Sequence, residues 1–515
     1  MFLRLAQLQI PDRPLFPSLK RLRIIDANSS LDYLPLFLSP SLQILEVFGV
    51  SEDRRASFLS FIKTAVDSAP HLVSLFLGRG HIMRDALEIC LGFTRLERLE
   101  LANATASLDF QLLRDISCLE RLTHLLIDNG FATYVPSDAV KEAEQYVTQH
   151  RGEEILRRKK LPEVSPPSPT SKTTGGTKTH RGNSFGYSSL SCSVCKQSFS
   201  TSGGQDVCPK CCEKKDRRRR EKEEEERIRV ALEREGFNRH WYKEALSRQQ
   251  RRSPGPQGDD MGFNTLSTLS VRGPATMMQD IVEILYSNSL SDITLELSDP
   301  PGSINSAIPA SRRFIASMDF IMQHWAETIK RVTLLVKDPV SPLTLPKDTV
   351  DNIIRLPFLK YLDINGWCVD SKIVSHFINW DSQKPFKFQH LQLPDNISSP
   401  GLPLSGLRSI VEASPELVSL RCRLKNLTEV PIYSVPAPAP LSHKLKVLTV
   451  GNSTPSSDPQ NVLEIARYLN LLFPDLEKIA TLDSVEQNAE QWRYIGSLVK
   501  MFQTIRLDEK NRPSV

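Results

Sequence analysis

The stretch 70–77 reads PHLVSLFL, with leucine at positions 72, 75 and 77 and proline two places before the first of them. The phrase is leucine, two residues, leucine, one residue and then an aliphatic residue. It recurs ten times in the 515-residue chain, and six copies carry the proline. The copies begin at Leu19, Leu42, Leu72, Leu96, Leu122, Ile329, Leu359, Leu417, Leu445 and Leu476, with a weaker copy at Phe388. The alternation predicts a short strand with one buried side.

Helical segments precede several copies. The ranges 58–66, 407–411 and 462–472 carry apolar residues at helix spacing, and each is followed by a proline, which cannot continue a helix. Most neighbouring copies start about 23 to 31 residues apart, the period of leucine-rich repeats. We therefore predict an α/β leucine-rich-repeat solenoid, in which helix–strand units stack side by side. Their strands then form a parallel sheet that covers a shared core. The alternative, a set of unrelated amphipathic segments, would require the leucine phrase to occur ten times by chance.

Composition limits the class of protein. No run of about 18 apolar residues occurs, so no membrane span is predicted. The first ten residues are apolar but interrupted by Arg4 and Gln7, which argues against a signal peptide. The nine cysteines are then expected to be reduced thiols or metal ligands in the cytoplasm or nucleus.

The repeats are interrupted in the middle. Residues 151–260 contain 25 Lys and Arg against 16 Asp and Glu, a net charge of +9, whereas the whole chain is +5. We predict an N-terminal repeat array over 1–136, a helix and disordered Ser/Pro/Thr linker over 137–190, and a zinc module with a charged helix over 191–252. A linker over 253–275 and a C-terminal array over 276–510 complete the predicted order.

Two C-x2-C pairs separated by twelve residues predict a structural zinc site. The proposed ligands are Cys192, Cys195, Cys208 and Cys211, with Cys212, His180 or His240 as possible substitutes. A thiol redox pair is disfavoured because no βαβ context surrounds it, and a RING would need about eight ligands. A closed four-cysteine site leaves no open coordination position, so a catalytic role for the zinc is not expected.

The segment after the cysteines is highly charged. Its basic cluster fits a solvated helix or a nuclear localisation signal formed by Lys214, Lys215, Arg217, Arg218, Arg219 and Arg220. The following acidic run, Glu223–Glu226, would repel phosphate, so binding to nucleic acid is not favoured.

The units at 70–77, 358–367 and 414–420 resemble those of fungal F-box proteins with leucine-rich repeats. The resemblance covers residues 1–135 and about 285–510. It implies that the repeats hold a target protein for ubiquitylation, while a separate F-box docks on the ligase adaptor. A repeat already begins at Leu19, so no F-box is expected within the sequence given, and the adaptor is a partner only if another docking module exists.

The chain is accordingly predicted to be a non-enzymatic scaffold that binds a protein partner on the concave strand face. No phosphate-binding glycine loop, nucleophile elbow or paired-carboxylate motif is recognised. Candidate partner-binding residues are Arg21, Arg23, Arg98, Glu100, Lys360, Tyr361, Arg421 and Arg423. The alternative is a zinc-containing nuclear or nucleic-acid-associated adaptor that acts through the basic central segment. His71, His324 and His390 are expected to be surface or core residues rather than catalytic groups.

Overall fold

The computed structural model describes most of the repeat-bearing sequence and little of the central segment. The described residues are 14–28, 30–80, 82, 84–102, 108–128, 138, 141, 189–191, 198–200, 263–285, 287–298, 310–336, 343–369, 374, 377, 385–395, 401–431, 444–451, 453–455, 458–482 and 485–511. The chain divides into two compact units, Met1–Lys141 with Pro256–Val515, and Glu142–Gly255. The larger unit contains the leucine phrases, and the smaller one contains the two C-x2-C pairs.

The larger unit is a mixed α/β structure built on one large parallel sheet. The strands of the chain are β1 (Arg21–Ile24), β2 (Ile44–Phe48), β3 (Ser74–Gly78), β4 (Arg98–Ala102), β5 (His124–Asp128), β6 (Ser189–Ser191), β7 (Ser198–Ser200), β8 (Thr268–Gly273), β9 (Asp292–Leu297), β10 (Arg331–Val336), β11 (Thr344–Leu345), β12 (Tyr361–Asp363), β13 (Cys368–Val369), β14 (His390–Gln392), β15 (Leu402–Pro403), β16 (Ser419–Cys422), β17 (Leu424–Lys425), β18 (Val447–Val450) and β19 (Lys478–Thr481). Thirteen of them form this sheet, in the chain order β1-β2-β3-β4-β5-β8-β9-β10-β12-β14-β16-β18-β19. Two further short pairs, β11–β13 and β15–β17, are also parallel and form separate sheets.

Helices connect many of the strands. They are α1 (Arg55–Ser68), α2 (Arg84–Cys90), α3 (Phe110–Ser117), α4 (Ala275–Glu283), α5 (Ala310–His324), α6 (Lys347–Ile354), α7 (Leu404–Ala413), α8 (Pro459–Leu472) and α9 (Glu486–Asn511). The helices predicted over 58–66, 407–411 and 462–472 are confirmed as α1, α7 and α8. Each ends two residues before its proline, as expected of a residue that cannot continue a helix.

The leucine phrase sets the register of the sheet. The middle apolar residue of each phrase lies opposite its counterpart on the next strand, in one column: Leu22, Leu45, Leu75, Leu99, Leu125, Leu269, Ile293, Val332, Leu362, Leu391, Leu420, Leu448 and Ile479. All but the two end members are buried in a core shared with the helices. Burying one such side chain stabilises the fold by about 1.5–3 kcal/mol. A slip of one residue would turn this whole column to the other face, so the register is strongly specified.

A row of backbone hydrogen bonds crosses the sheet just before the strands begin. Gln43 N–H donates to Lys20 O at 2.9 Å, and equivalent bonds follow from strand to strand as far as Glu477 N–H to Lys446 O at 2.8 Å. The row includes Ser267 N–H to Thr123 O at 2.9 Å, which joins the strands on either side of the central segment. The two predicted arrays therefore share one continuous sheet.

Two strands of the sheet were not predicted. β8 lies within the range 253–275, predicted as linker, so the second run of strands begins earlier than expected. Its phrase is Leu266-Leu269-Val271, and the phrase of β9 is Leu290-Ile293-Leu295. All six side chains are buried, which is the physical reason that both segments join the sheet.

In the smaller unit, the described strands β6 and β7 pair antiparallel, with Ser191 opposite Ser198. The predicted zinc ligands, the basic cluster, the charged helix and nearly all of the predicted linker over 137–190 lie outside the described residues.

Candidate protein-binding surface

The polar residues of the strands point away from the leucine core and form what we call the outer sheet face. It consists of the side chains that alternate with the buried columns. Two rows are in register from strand to strand. One contains Arg331, Tyr361 and His390, and the other contains Asp363, Gln392 and Arg421. These rows bring together side chains that lie about 30 positions apart in the chain.

Tyr361 is the centre of a packed polar cluster on this face. The guanidinium carbon of Arg331 lies 4.1 Å from the centroid of its ring, and the His390 ring centroid lies 5.7 Å away on the opposite strand. Gln392 Nε2 donates to the Tyr361 hydroxyl at 2.7 Å. Burial, followed by the charge of Asp363, raises the pKa of Tyr361 above its ordinary value. Burial, followed by the charge of Arg331, lowers the pKa of His390. Side chains of β10 and β14 therefore contact the Tyr361 ring of β12 from both sides, and β14 also donates a hydrogen bond to its hydroxyl.

A second cluster continues the surface onto β16. Arg421 Nη2 and Nε donate to one carboxylate oxygen of Asp395 at 2.6 and 3.0 Å. Asp363 accepts from the backbone N–H of Asn365 at 3.0 Å and is buried, and this burial raises its pKa. Gly451 borders the pair so closely that a Cβ there would lie 2.7 Å from Asp395 Oδ2. Charge-assisted bonds of this kind fix side-chain orientation.

The N-terminal part of the outer sheet face carries matched charges and two aromatic rings. Arg21 and Arg23 both contact Glu46 on β2, at 2.5 and 3.3 Å. The rings of Phe48 and Phe76 on adjacent strands have centroids 4.8 Å apart. On β4, Arg98 pairs with Glu100 of its own strand.

An ion triad lies where the chain leaves and rejoins the sheet. Arg272 on β8 is 3.2 Å from Asp128 on β5 and 3.1 Å from Glu296 on β9. The three side chains are only 14–22% exposed, so water screens their attraction less than at the open surface. This triad ties the strand before the central segment to the two strands after it.

The structure brings only some of the predicted partner-binding residues together. Tyr361 and Arg421 lie in the central clusters. Lys360 lies one residue before β12 and Arg423 one residue after β16. The other predicted residues, Arg21, Arg23, Arg98 and Glu100, lie on β1 and β4, separated from the central clusters by several strands.

Sequence reasoning did not select Arg331, Gln392 or Asp395, and it assigned His390 to the surface or the core. Arg331 and His390 occupy the same position of the phrase as Tyr361, directly before the middle apolar residue. Aligning all copies by that position would have indicated the row.

Two described thiols, Cys90 and Cys422, are buried, and two described histidines, His71 and His324, lie outside the polar clusters. Burial raises the pKa of Cys90 and of Cys422 to about 12, so both are protonated at neutral pH. His324 contacts the carbonyl of Phe320 and stacks on its ring, and His71 is exposed. Within the described part of the chain, no three His, Cys, Asp or Glu side chains are grouped closely enough to hold a metal ion.

None of the described helices is both long enough and apolar enough to cross a membrane. Neither a protein-family model nor a curated protein matches the sequence.

Proposed function

We propose that this chain is a leucine-rich-repeat solenoid that acts as a non-enzymatic scaffold and binds a protein partner on the outer sheet face. Thirteen parallel strands in chain order and the shared leucine column support the solenoid assignment. Repeat arrays of this kind present extended surfaces, and a protein partner suits the mixed charge of this face better than nucleic acid does.

The observation that carries the proposal is the cluster around Tyr361. Tyrosine and arginine are enriched among the residues that contribute most to protein–protein binding, particularly where neighbours hold them in place. Here Tyr361 is held by Arg331, His390 and Gln392, so little side-chain entropy would be lost on association. A protein docking on this cluster would cover a preorganised aromatic ring with charged groups around it.

The test is affinity purification of the full chain from cells of its source, followed by quantitative mass spectrometry. Arg331→Ala with Tyr361→Ala is the surface variant. Arg493→Ala with Tyr494→Ala is the matched control, because it removes the same two residue types from the exposed face of α9. We expect recovered partners to fall at least about tenfold in the surface variant and to be retained in the control. Equal recovery from both would refute the proposal.

The resemblance to F-box repeat proteins gives the scaffold a more specific role, as a substrate receptor of a ubiquitin ligase in the cytoplasm or nucleus. The same purification tests it through the ligase adaptor and the cullin. Their recovery with wild type and with the surface variant would support this role, because the resemblance implies an adaptor-docking module separate from the repeats. Their absence would leave a repeat scaffold without ligase function.

The proposal includes one structural zinc ion held by Cys192, Cys195, Cys208 and Cys211. The described pairing supports it, because Ser191 lies opposite Ser198 and the connection between them contains Cys192 and Cys195. A C-x2-C pair in so short a connection suits two thiolate ligands of one ion, and zinc would replace the core that so small a unit lacks.

Zinc content of the purified chain, measured by mass spectrometry, tests this part. We expect about one zinc per chain, lost in Cys192→Ser with Cys195→Ser and retained in Cys118→Ser, which removes an exposed thiol of α3's C-terminal end. Zinc that is absent from wild type, or that persists in the double variant, would refute the assignment.

A further inference from the structure

Three lysines lie shortly before three adjacent strands, and we call them the basic rim: Lys330, Lys360 and Lys387. Lys360 N–H donates to Lys330 O at 2.8 Å, and Gln389 N–H donates to Lys360 O at 2.7 Å, so the backbones of β10, β12 and β14 are adjacent at this point. Lys387 precedes Gln389 by two residues. All three side chains are exposed.

The rim lysines differ from Lys446 of the same sheet, which has a carboxylate beside it. In the same hydrogen-bonded row, Lys446 faces Glu477 on the next strand, and Lys446 Nζ lies 2.8 Å from Glu477 Oε1. Among the described residues, no carboxylate oxygen lies within 4.0 Å of the ammonium nitrogen of any rim lysine. Like charges on neighbouring strands repel. An anion bound here would therefore offset a repulsion between the rim lysines that no carboxylate of the described residues offsets.

An apolar side chain accompanies these charges. Phe358 is 46% exposed, two residues before Lys360, and the Lys387 ammonium lies 5.3 Å from the centroid of its ring. On the outer sheet face next to the rim lie Arg331 and the ring of Tyr361. Acidic groups limit the positive region on that side: Asp292 Oδ1 lies 3.4 Å from Arg331 Nε, and Asp395 is bonded to Arg421.

We infer that the basic rim binds an acidic peptide segment of the partner protein, a conclusion that rests on the proposed function and names the chemistry of its ligand. The lysines cover two strand spacings, about 10 Å, which an extended peptide crosses in about three residues. Phosphate recognition favours bidentate arginine, whereas the uncompensated rim cations are lysines, which act as point charges. A long nucleic acid would also meet the exposed carboxylate of Asp292.

Fluorescence anisotropy with the full chain tests the inference. The probe is a fluorescein-labelled 12-residue peptide of Asp and Glu with one central Trp, and its neutral counterpart replaces the acids with Asn and Gln. The rim variant is Lys330→Glu, Lys360→Glu and Lys387→Glu. The matched control, Lys20→Glu, Lys63→Glu and Lys478→Glu, changes net charge equally at exposed positions just before β1, on α1 and on β19. Unfolding in urea checks that both variants are folded.

We expect the acidic peptide to bind at least about tenfold more weakly to the rim variant than to wild type or control, with affinity falling as salt increases. We also expect Phe358→Ser, which leaves the charge unchanged, to weaken binding about threefold, because it removes a direct apolar contact. Equal weakening in the rim variant and the control would overturn the inference, since that result indicates net charge alone. Tighter binding of 12-nucleotide single-stranded DNA or of a phosphoserine peptide would overturn it as well.

The two proposals can fail separately. If the acidic peptide does not bind, but partner recovery still depends on Arg331 and Tyr361, the scaffold proposal stands and the acidic-ligand inference fails. If partner recovery is unaffected by those two residues, the scaffold proposal itself fails.

Discussion

Thr123 and Ser267 are 144 positions apart in the chain, yet the Ser267 amide donates to the Thr123 carbonyl at 2.9 Å and the Ser267 hydroxyl to the same oxygen at 3.1 Å. Similar backbone bonds join every other neighbouring pair in the row, although those partners are only 23 to 39 positions apart. The central segment therefore leaves the sheet and returns to it without interrupting the pairing. This relationship leads to the first prediction.

Replacing residues 142–255 with a short Gly/Ser linker should leave the larger unit folded, because those residues form a separate compact unit. A shorter connection between β5 and β8 also loses less entropy on closure, so the free energy of unfolding should rise by about 1–2 kcal/mol. Circular dichroism measures whether the larger unit is folded, and urea denaturation measures its free energy of unfolding. As a control, deleting residues 263–290 removes β8 and α4 and should abolish cooperative unfolding. A loss of cooperativity in the first deletion would contradict the prediction.

The ion triad gives the second prediction. Arg272→Met removes the charge that faces both Asp128 and Glu296 and leaves two poorly exposed carboxylates without it. We expect the free energy of unfolding to fall by about 1–3 kcal/mol. Arg98→Met is the matched control: its arginine is 55% exposed and pairs with one carboxylate, so a change of less than about 1 kcal/mol is expected. Similar losses in both variants would indicate that the triad adds no stability beyond an exposed pair.

The contact between Gly451 and Asp395 gives the third prediction. Gly451→Ala places a methyl group 2.7 Å from Asp395 Oδ2, which forces the carboxylate away from Arg421. We expect a loss of about 1–3 kcal/mol in stability and weaker partner binding on the outer sheet face. Gly496→Ala in α9 is the control, since its nearest atom outside the helix, Ile479 Cβ, is 3.7 Å away. It should raise stability by about 0.5–1 kcal/mol, because alanine favours the helix. Destabilisation by both variants would argue against a specific role for the Asp395 contact.

The fourth prediction concerns pH. Burial and then the charge of Arg331 lower the pKa of His390 below its ordinary 6.5, so the unfolded chain takes up a proton more readily than the folded one in that range. Stability should therefore fall as pH drops below 6.5. Between pH 7.5 and 5, the free energy of unfolding should decrease more in wild type than in His390→Gln, as measured by urea denaturation at each pH. A difference that stays constant with pH would contradict the prediction.

The sequence was most informative where one residue type repeats. All eleven recognised copies of the phrase contain or adjoin a strand of the main sheet, because leucines at this spacing bury one side of an extended segment. The unit at Leu290 was missed although it fits the phrase as well as the recognised unit at Ile329, whose middle residue is Val332. The unit at Leu266 was missed because it adjoins a polar, glycine-rich stretch that reads as linker.

The candidate surface was predicted only in part, for a different reason. Tyr361 and Arg421 were selected as exposed strand residues, but their neighbours Arg331 and Asp395 belong to other units of the chain. Whether such residues meet depends on the lateral register between strands, which is fixed by backbone pairing and not by the pattern within one unit. The basic rim was missed for the same reason, although Lys360 was selected by itself.

The pairing of β5 with β8 also has a consequence for synthesis. At about 5–20 residues per second, the ribosome takes roughly 7 to 30 s to proceed from Asp128 to Thr268. During that time β1–β5 can fold, but the edge of β5 that β8 later covers has no strand beside it. An unpaired strand edge is a site of aggregation, so the nascent chain is expected to be most vulnerable in this interval and to depend on whatever shields that edge until β8 emerges.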